Sequence, residues 1–228
     1  MNFNQFEILT FDCYGTLIDW ESGILSALKK LVEAREKQLS DRQLLELFAE
    51  LESAGEKGEY IPYREVLKQV VANIGEKLNF SPTETELNSL ANSIKNWQPF
   101  PDTVEALKAL KQKYKLGIIS NIDEDLFAES AQHLQVEFDY LITAERAKSY
   151  KPSLNNFEIA LQEIGATKDK ILHVAQSIYH DIVPAKSLGL STVWVNRRQG
   201  KEGFGATKPA SATPDLEVPD LKSLVAKI

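Results

Sequence analysis

Apolar positions fall into two spacings along this chain. Short continuous apolar runs, of the kind buried strands carry, occur at residues 6–12, 115–121, 140–143, 171–175 and 191–195, and Leu216 with Val218 marks a shorter last strand. Between the later runs, apolar residues recur three and four apart, which predicts helices over about residues 102–114, 126–134, 155–164, 181–188 and 221–227. Strands alternating with helices predict an α/β chain with a parallel sheet and helices on both faces.

One block breaks the alternation. From about residue 18 to 98 every periodic stretch is helical, with Ile24, Leu25, Leu28, Leu31 and Val32 on a first face and Leu44, Leu45, Leu47, Phe48 and Leu51 on a second. Ser40 caps that second helix, Val66, Leu67, Val70, Val71 and Ile74 mark a third, and Ser81-Pro82-Thr83-Glu84 predicts a fourth running to Trp97, with Ser81 as its cap. The expected organisation is a core of residues 1–17 and 99–228 with a helical insert, 18–98, between its first two strands.

Composition narrows the class. With 228 residues, 43% hydrophobic and 26% charged, the chain can bury a full core. A formal net charge of −7 argues against a nucleic-acid partner. The single cysteine, Cys13, excludes an internal disulfide and suits a reducing compartment. No run is long enough for a signal peptide core or a membrane span, so a cytoplasmic protein is expected, with no membrane partner.

Chemistry sits at the predicted strand ends. Asp12 and Thr16 follow the first strand, Ser120 and Asn121 the second, Lys151 the third, and Gln176, Ser177 and Asp181 the fourth. The carboxyl ends of parallel strands converge on one crevice, so these groups are expected to meet there. A carboxylate in such a place can act as a covalent nucleophile, and Asp181 can activate or orient water. Of the histidines, His180 stands beside Asp181, whereas His133 and His173 show no partner pattern.

In order and type, these four clusters resemble the motifs of the haloacid dehalogenase superfamily. The run from Phe11 to Leu17 is similar to the type II (S)-2-haloacid dehalogenases, and the segments 12–20, 149–152 and 197–207 also resemble ring-opening hydrolases of L-azetidine-2-carboxylate. The resemblance implies a Rossmann-like core with an inserted helical cap, Asp12 as nucleophile, Lys151 as the cation that keeps it ionised, and Asp181 as the group serving water. It implies that Tyr14, Thr16, Ser120, Asn121, Gln176 and Ser177 surround a small 2-substituted carboxylate, with Asn121 near the leaving halide. A monomer or homodimer is expected. Tyr14 stands where superfamily phosphatases have their acid catalyst, and Gln176 stands where a metal-binding acid is usual, so no cofactor and no metal are expected. Three functions remain open: 2-haloacid hydrolysis through an aspartyl ester, hydrolytic ring opening by the same ester, and a weakly catalytic binding protein; a phosphatase is distant.

The chain departs from the dehalogenase pattern in three places. Ala49 or Glu50 falls where a cap arginine is expected, with Arg64 as a candidate substitute. Phe157 replaces a tyrosine, and the segment Val174 to Asp181 has phosphatase-like spacing.

Overall fold

The computed structural model describes all 228 residues. Six strands, β1 (Ile8–Phe11), β2 (Lys115–Ser120), β3 (Tyr140–Thr143), β4 (Ile171–Ala175), β5 (Ser191–Val195) and β6 (Leu216–Val218), form one sheet in the order β3-β2-β1-β4-β5-β6. Every pairing is parallel. The central strands are buried throughout, which is why they read as unbroken apolar runs. The sheet is of the Rossmann-like kind expected.

In chain order the helices are α1 (Trp20–Glu33), α2 (Asp41–Gly55), α3 (Tyr63–Lys77), α4 (Glu84–Leu87), α5 (Ser89–Ser93), α6 (Thr103–Lys111), α7 (Glu124–Leu134), α8 (Ala144–Ala147), α9 (Leu154–Ile164), α10 (Val183–Ser187) and α11 (Leu221–Val225). No helix is long and apolar enough to cross a membrane. The first five lie between β1 and β2 and pack on one another, α2 against α3 and α1 against α5. One apolar cluster takes in Leu9 and Phe11 from β1 together with Phe48, Val66 and Ile94 from the helical block. The block is thus packed onto the sheet, and the crevice at the strand ends lies under it.

Helix ends follow local chemistry. Ser40 caps α2 through a reciprocal box with Gln43. The fourth helix differs from expectation. Its cap is Thr83, in a box with Glu86, while Pro82 lies against Gly75 of α3. It also breaks at Asn88, whose side-chain amide donates to the Glu84 carbonyl. Two short helices and a 3₁₀ turn (Ile94–Asn96) therefore replace one long helix. The segment expected to be helical from Asp181 instead opens as a π-turn, Ile178–Ile182, capped by the Ser177 hydroxyl.

The sheet changes direction of winding between β1 and β4, with β2 and β3 on one side and β5 and β6 on the other. Such a switch point opens a crevice at the carboxyl ends of the strands. Asp12 stands over it, its N–H donating to the Val174 carbonyl at 3.2 Å.

Close packing of α1 against the end of the helical block rests on Gly23, because a Cβ there would fall inside the Trp97 indole. Gly23→Ala should therefore cost about 1–3 kcal/mol despite the better helix propensity of alanine. Urea denaturation of the two proteins measures the difference; equal midpoints would show that Trp97 is free to move.

Candidate active site

Lys151 holds the centre together. Its Nζ donates to Asp12 Oδ1 at 3.0 Å, to Asp181 Oδ1 at 2.6 Å and to the Ile119 carbonyl at 2.8 Å. An ammonium has three N–H donors, so all are used. The side chain is 1% exposed. Burial works against its charge, but Asp12 and Asp181 outweigh burial and hold it above the ordinary lysine value.

The other oxygen of Asp12, Oδ2, accepts the Thr16 hydroxyl at 2.6 Å, and Thr16 Oγ1 in turn accepts the Gln176 N–H at 2.9 Å. Thr16 is fully buried and does not reach the pocket wall. Its hydroxyl is therefore spent on Asp12 and the Gln176 N–H. Burial pushes the Asp12 carboxyl above its usual range; Lys151 opposes the rise and Asp181 adds to it. Asp181 behaves differently: burial works to raise it, and Lys151 and His173 together hold it low.

His173 had no partner pattern in the sequence, yet it belongs to this network. Thr10 and His173 are register partners on β1 and β4. Thr10 Oγ1 lies 2.9 Å from His173 Nδ1, and His173 Nε2 lies 3.1 Å from Asp181 Oδ1. A fully buried histidine in a central strand needs partners, and that was the available signal. Asp181 Oδ2 is buried without one, a polar atom placed to take a water.

The pocket above Asp12 has a volume of about 30 Å³. Tyr14, Ser120, Asn121, Gln176 and Ser177 line it together with Trp20, His180 and Thr207. Tyr14 is fixed by its hydroxyl against Ser130 Oγ, 2.8 Å away, and by its edge-on contact with Trp97. Gly15 is required at φ +93°, where a Cβ would stand 2.8 Å from Trp20 Nε1 and 3.2 Å from Gln176 Oε1. Gln176 is held through its carbonyl by Trp194 Nε1 at 2.8 Å. Ser120 Oγ is buried and has no partner. The N–H groups of Cys13 and Tyr14 donate to no backbone acceptor. Cys13 itself is buried and free.

The helical block contributes acids, which sequence reading missed. Glu52 and Glu56 line the pocket, not Ala49 or Glu50; Glu50 pairs with Lys77 on the surface. Arg64 lies outside the pocket as well, its guanidinium on Asp125 at 2.6 Å. Glu52 accepts the Tyr63 hydroxyl. Glu56 Oε1 accepts from Asn121 Nδ2 at 3.0 Å, and its Oε2 is 4.0 Å from His180 Nε2. Asn121 is otherwise bonded to the Lys151 backbone on both sides, accepting its N–H at 2.7 Å and donating to its carbonyl at 3.1 Å. Burial raises Glu52 to about 7 and, with the charge of Glu52 beside it, raises Glu56 well above the carboxylate range. Burial lowers His180 to about 4. Phe157, in place of a tyrosine, is buried edge-on to His173 and is not part of the wall.

A divalent cation does not fit these residues. No three His, Cys, Asp or Glu side chains converge as ligands. The space between Asp12 and Asp181 is filled by the Lys151 ammonium, and Gln176 brings no charge.

A Rossmann-like sheet, an aspartate at the end of β1 and a buried lysine–aspartate pair define a hydrolase class, and the comparisons agree. A family model described as haloacid dehalogenase-like hydrolase matches residues 9–195, and the chain belongs to that family. It is 30% identical to (S)-2-haloacid dehalogenase H-109 of Pseudomonas putida over 94% of each chain, and 29% identical to haloacetate dehalogenase H-2 of Moraxella sp. (strain B) over 97% of each. The solved L-2-haloacid dehalogenase of Xanthobacter autotrophicus with chloropropionic acid covalently bound shares the fold, with a TM-score of 0.80 at 21% identity over 97% of both chains.

The neutral form of Glu52 has a stability signature. Its folded value of about 7 exceeds the ordinary 4.5, so the folded chain holds a proton that the unfolded chain releases. That contribution is complete below about pH 4.5 and is lost as pH rises through about 7. Glu52→Gln keeps the Tyr63 acceptor and removes the titration. Its stability relative to the parent should rise between about pH 5 and 8, by roughly 3 kcal/mol at most. Denaturant midpoints across that range check the sign; a constant difference would mean that Glu52 stays ionised.

Proposed function

We propose that the chain hydrolyses a small 2-substituted carboxylate at carbon through a covalent ester on Asp12, with 2-haloacid dehalogenation as the reaction and no metal in the step. Residues 18–98 serve as the cap over a core of 1–17 and 99–228. The observation that carries this reading is Lys151 bridging Asp12 and Asp181 while Tyr14, two residues after Asp12, offers no acid. Halide departs as a stable anion and needs no proton, so the absence of that acid costs the reaction nothing. The two relatives named above as dehalogenases support the same leaving group.

The groups divide the work as follows. Thr16 and Lys151 orient the two oxygens of Asp12, and one of them attacks C2 in line as the halide leaves. Holding carboxylate and carbon in near-attack geometry supplies roughly 7–11 kcal/mol of the barrier reduction. Water at Asp181 Oδ2 then attacks the ester carbonyl and Asp181 takes its proton; the adduct collapses by breaking the bond between the Asp12 acyl carbon and the product oxygen, which receives that proton as the 2-hydroxy acid leaves. The N–H groups of Cys13 and Tyr14 hold the oxyanion, and Ser120 Oγ binds the substrate carboxylate. Asn121 works indirectly, because its amide is committed to Glu56 and Lys151.

One observation favours a second reading. Glu52 and Glu56 replace a cap cation with two acids whose neutral forms are favoured, and a neutral acid can protonate a departing amine. Ring-opening hydrolysis of a small cyclic amine such as L-azetidine-2-carboxylate uses the same ester and needs that proton.

Single-turnover hydrolysis of chloroacetate in ¹⁸O-water tests the nucleophile. The label should enter the Asp12 carboxyl and be absent from the first glycolate formed. Asp12→Asn should lower turnover by about a thousandfold or more. Label in the first product would mean direct attack by water and would sink the ester mechanism. Running L-azetidine-2-carboxylate alongside chloroacetate separates the two leaving groups.

A further inference from the structure

The active-site pocket offers a substrate anion no free cation. Lys151 is the only lysine or arginine in its wall, and its three donors are spent on Asp12, Asp181 and the Ile119 carbonyl. Beside it lies a second cavity of about 230 Å³, which shares Gln176 and Thr207 with the first. The loop that follows β5 builds most of it. Its apolar walls are Ile178, Trp194 and Phe204, and Phe204 is 61% exposed, an unusual place for a phenylalanine that has no ligand to cover.

The same cavity holds two cations. Arg198 is anchored by Glu21 at 2.5 Å and by the Glu202 carbonyl at 2.6 Å, yet its Nε is buried without a partner. Lys208 makes no ion pair and no hydrogen bond through its side chain, which leaves its ammonium uncommitted at the wall of this cavity. Its charge is felt in the active-site pocket, at Glu56 and at His180. A half-buried, unpaired ammonium opening on a partly apolar cavity is what a monoanion on a short hydrocarbon chain needs.

We propose that this side cavity is a second substrate subsite, in which Lys208, helped by Arg198, binds a carboxylate carried on an apolar tail of the substrate. The tail lies along Ile178, Trp194 and Phe204, and Gln176 and Thr207 form the passage to Asp12. The substrate is then a medium-chain acid with an acidic far end, longer than a haloacetate. This subsite rests on the reading of Asp12 as the reacting group, and binding can be measured without turnover.

Hexanoate and adipate, equal in length and differing in one terminal carboxylate, are the probes. Isothermal titration of the full-length protein at low salt should show adipate binding about tenfold or more tighter than hexanoate. The preference should shrink at about 0.5 M salt, since the ammonium is partly exposed. Lys208→Met should reduce it to about twofold or less, and Lys208→Arg should restore most of it. In turnover, 2-chloroadipate should show a lower KM than 2-chlorohexanoate with little change in kcat, because the contact is made equally in the ground and transition states. Equal affinities in the unmutated protein, or a preference that survives Lys208→Met, would overturn the subsite. The two proposals fail separately. Adipate outbinding hexanoate while chloroacetate leaves Asp12 unlabelled upholds the subsite and removes the ester; labelled Asp12 with equal affinities does the reverse.

Discussion

Everything at the strand ends depends on one buried ammonium. Lys151 lies 30 residues before Asp181 and 139 after Asp12, and its Nζ joins them to the β2 backbone at Ile119. An isolated buried charge costs several kcal/mol, and two carboxylates this close repel. The lysine makes both tolerable and fixes the distance between the Asp12 and Asp181 carboxylates. Asn121 locks the lysine from behind by bonding to its backbone N–H and carbonyl, and His173 supports Asp181 from below, with Thr10 behind it in turn. The sheet register sets this chain of contacts, because β1 and β4 align Thr10 with His173.

That use of Lys151 has a consequence for recognition. A lysine spending its donors on two aspartates and a carbonyl has none to give a substrate. Where an arginine was expected from the cap, α2 and the residue after it bring Glu52 and Glu56. Burial favours the neutral form of both, so they behave less like repelling charges than like hydrogen-bonding acids. His180, lowered to about 4, faces Glu56 as a neutral ring. The pocket is therefore polar but poor in free charge, apart from the aspartate pair and its lysine.

The sequence pattern showed the fold plainly, because the central strands β1 and β4 are buried throughout and the longer helices carry one apolar stripe each. It showed the strand-end motifs as well, since Asp12, Ser120 and Gln176 end or directly follow those runs, while Lys151 comes eight residues after β3, beyond the short helix α8. It failed where a polar residue hides inside an apolar pattern. Glu52 stands four residues after Phe48 and seven after Leu45, on the buried face of α2, and a face read only for its leucines passes over it. His173 was passed over in the same way within an unbroken buried strand. In both cases burial of an ionisable group was itself the signal. Thr16 illustrates a different limit. The residue was correctly placed beside Asp12, but its two hydrogen bonds, and hence its role, depend on where the Gln176 backbone comes to lie.

The loop after β5 then explains how one pocket can be closed from three sides. Arg197 bonds to the Thr16 carbonyl and to Asp102 and stacks on Phe100 at 4.2 Å, which ties the loop to the core. Arg198 and the Ala206 N–H both reach Glu21 at the start of α1, which ties it to the helical block. Trp20, next to Glu21, closes over Gly15 and Gln176. A shift of the helical block would thus pull on the loop through Glu21 and on the roof of the pocket through Trp20 together. In a site whose lysine is fully committed, such a loop is the element able to bring further cations near Asp12, and it carries Arg197, Arg198, Lys201 and Lys208 within a dozen residues of sequence. Arg197 and Arg198 are anchored to acids and carbonyls whereas Lys201 and Lys208 are not, so the loop both clamps the two parts of the chain and keeps unpaired positive charge, Lys208 at the cavity beside the site.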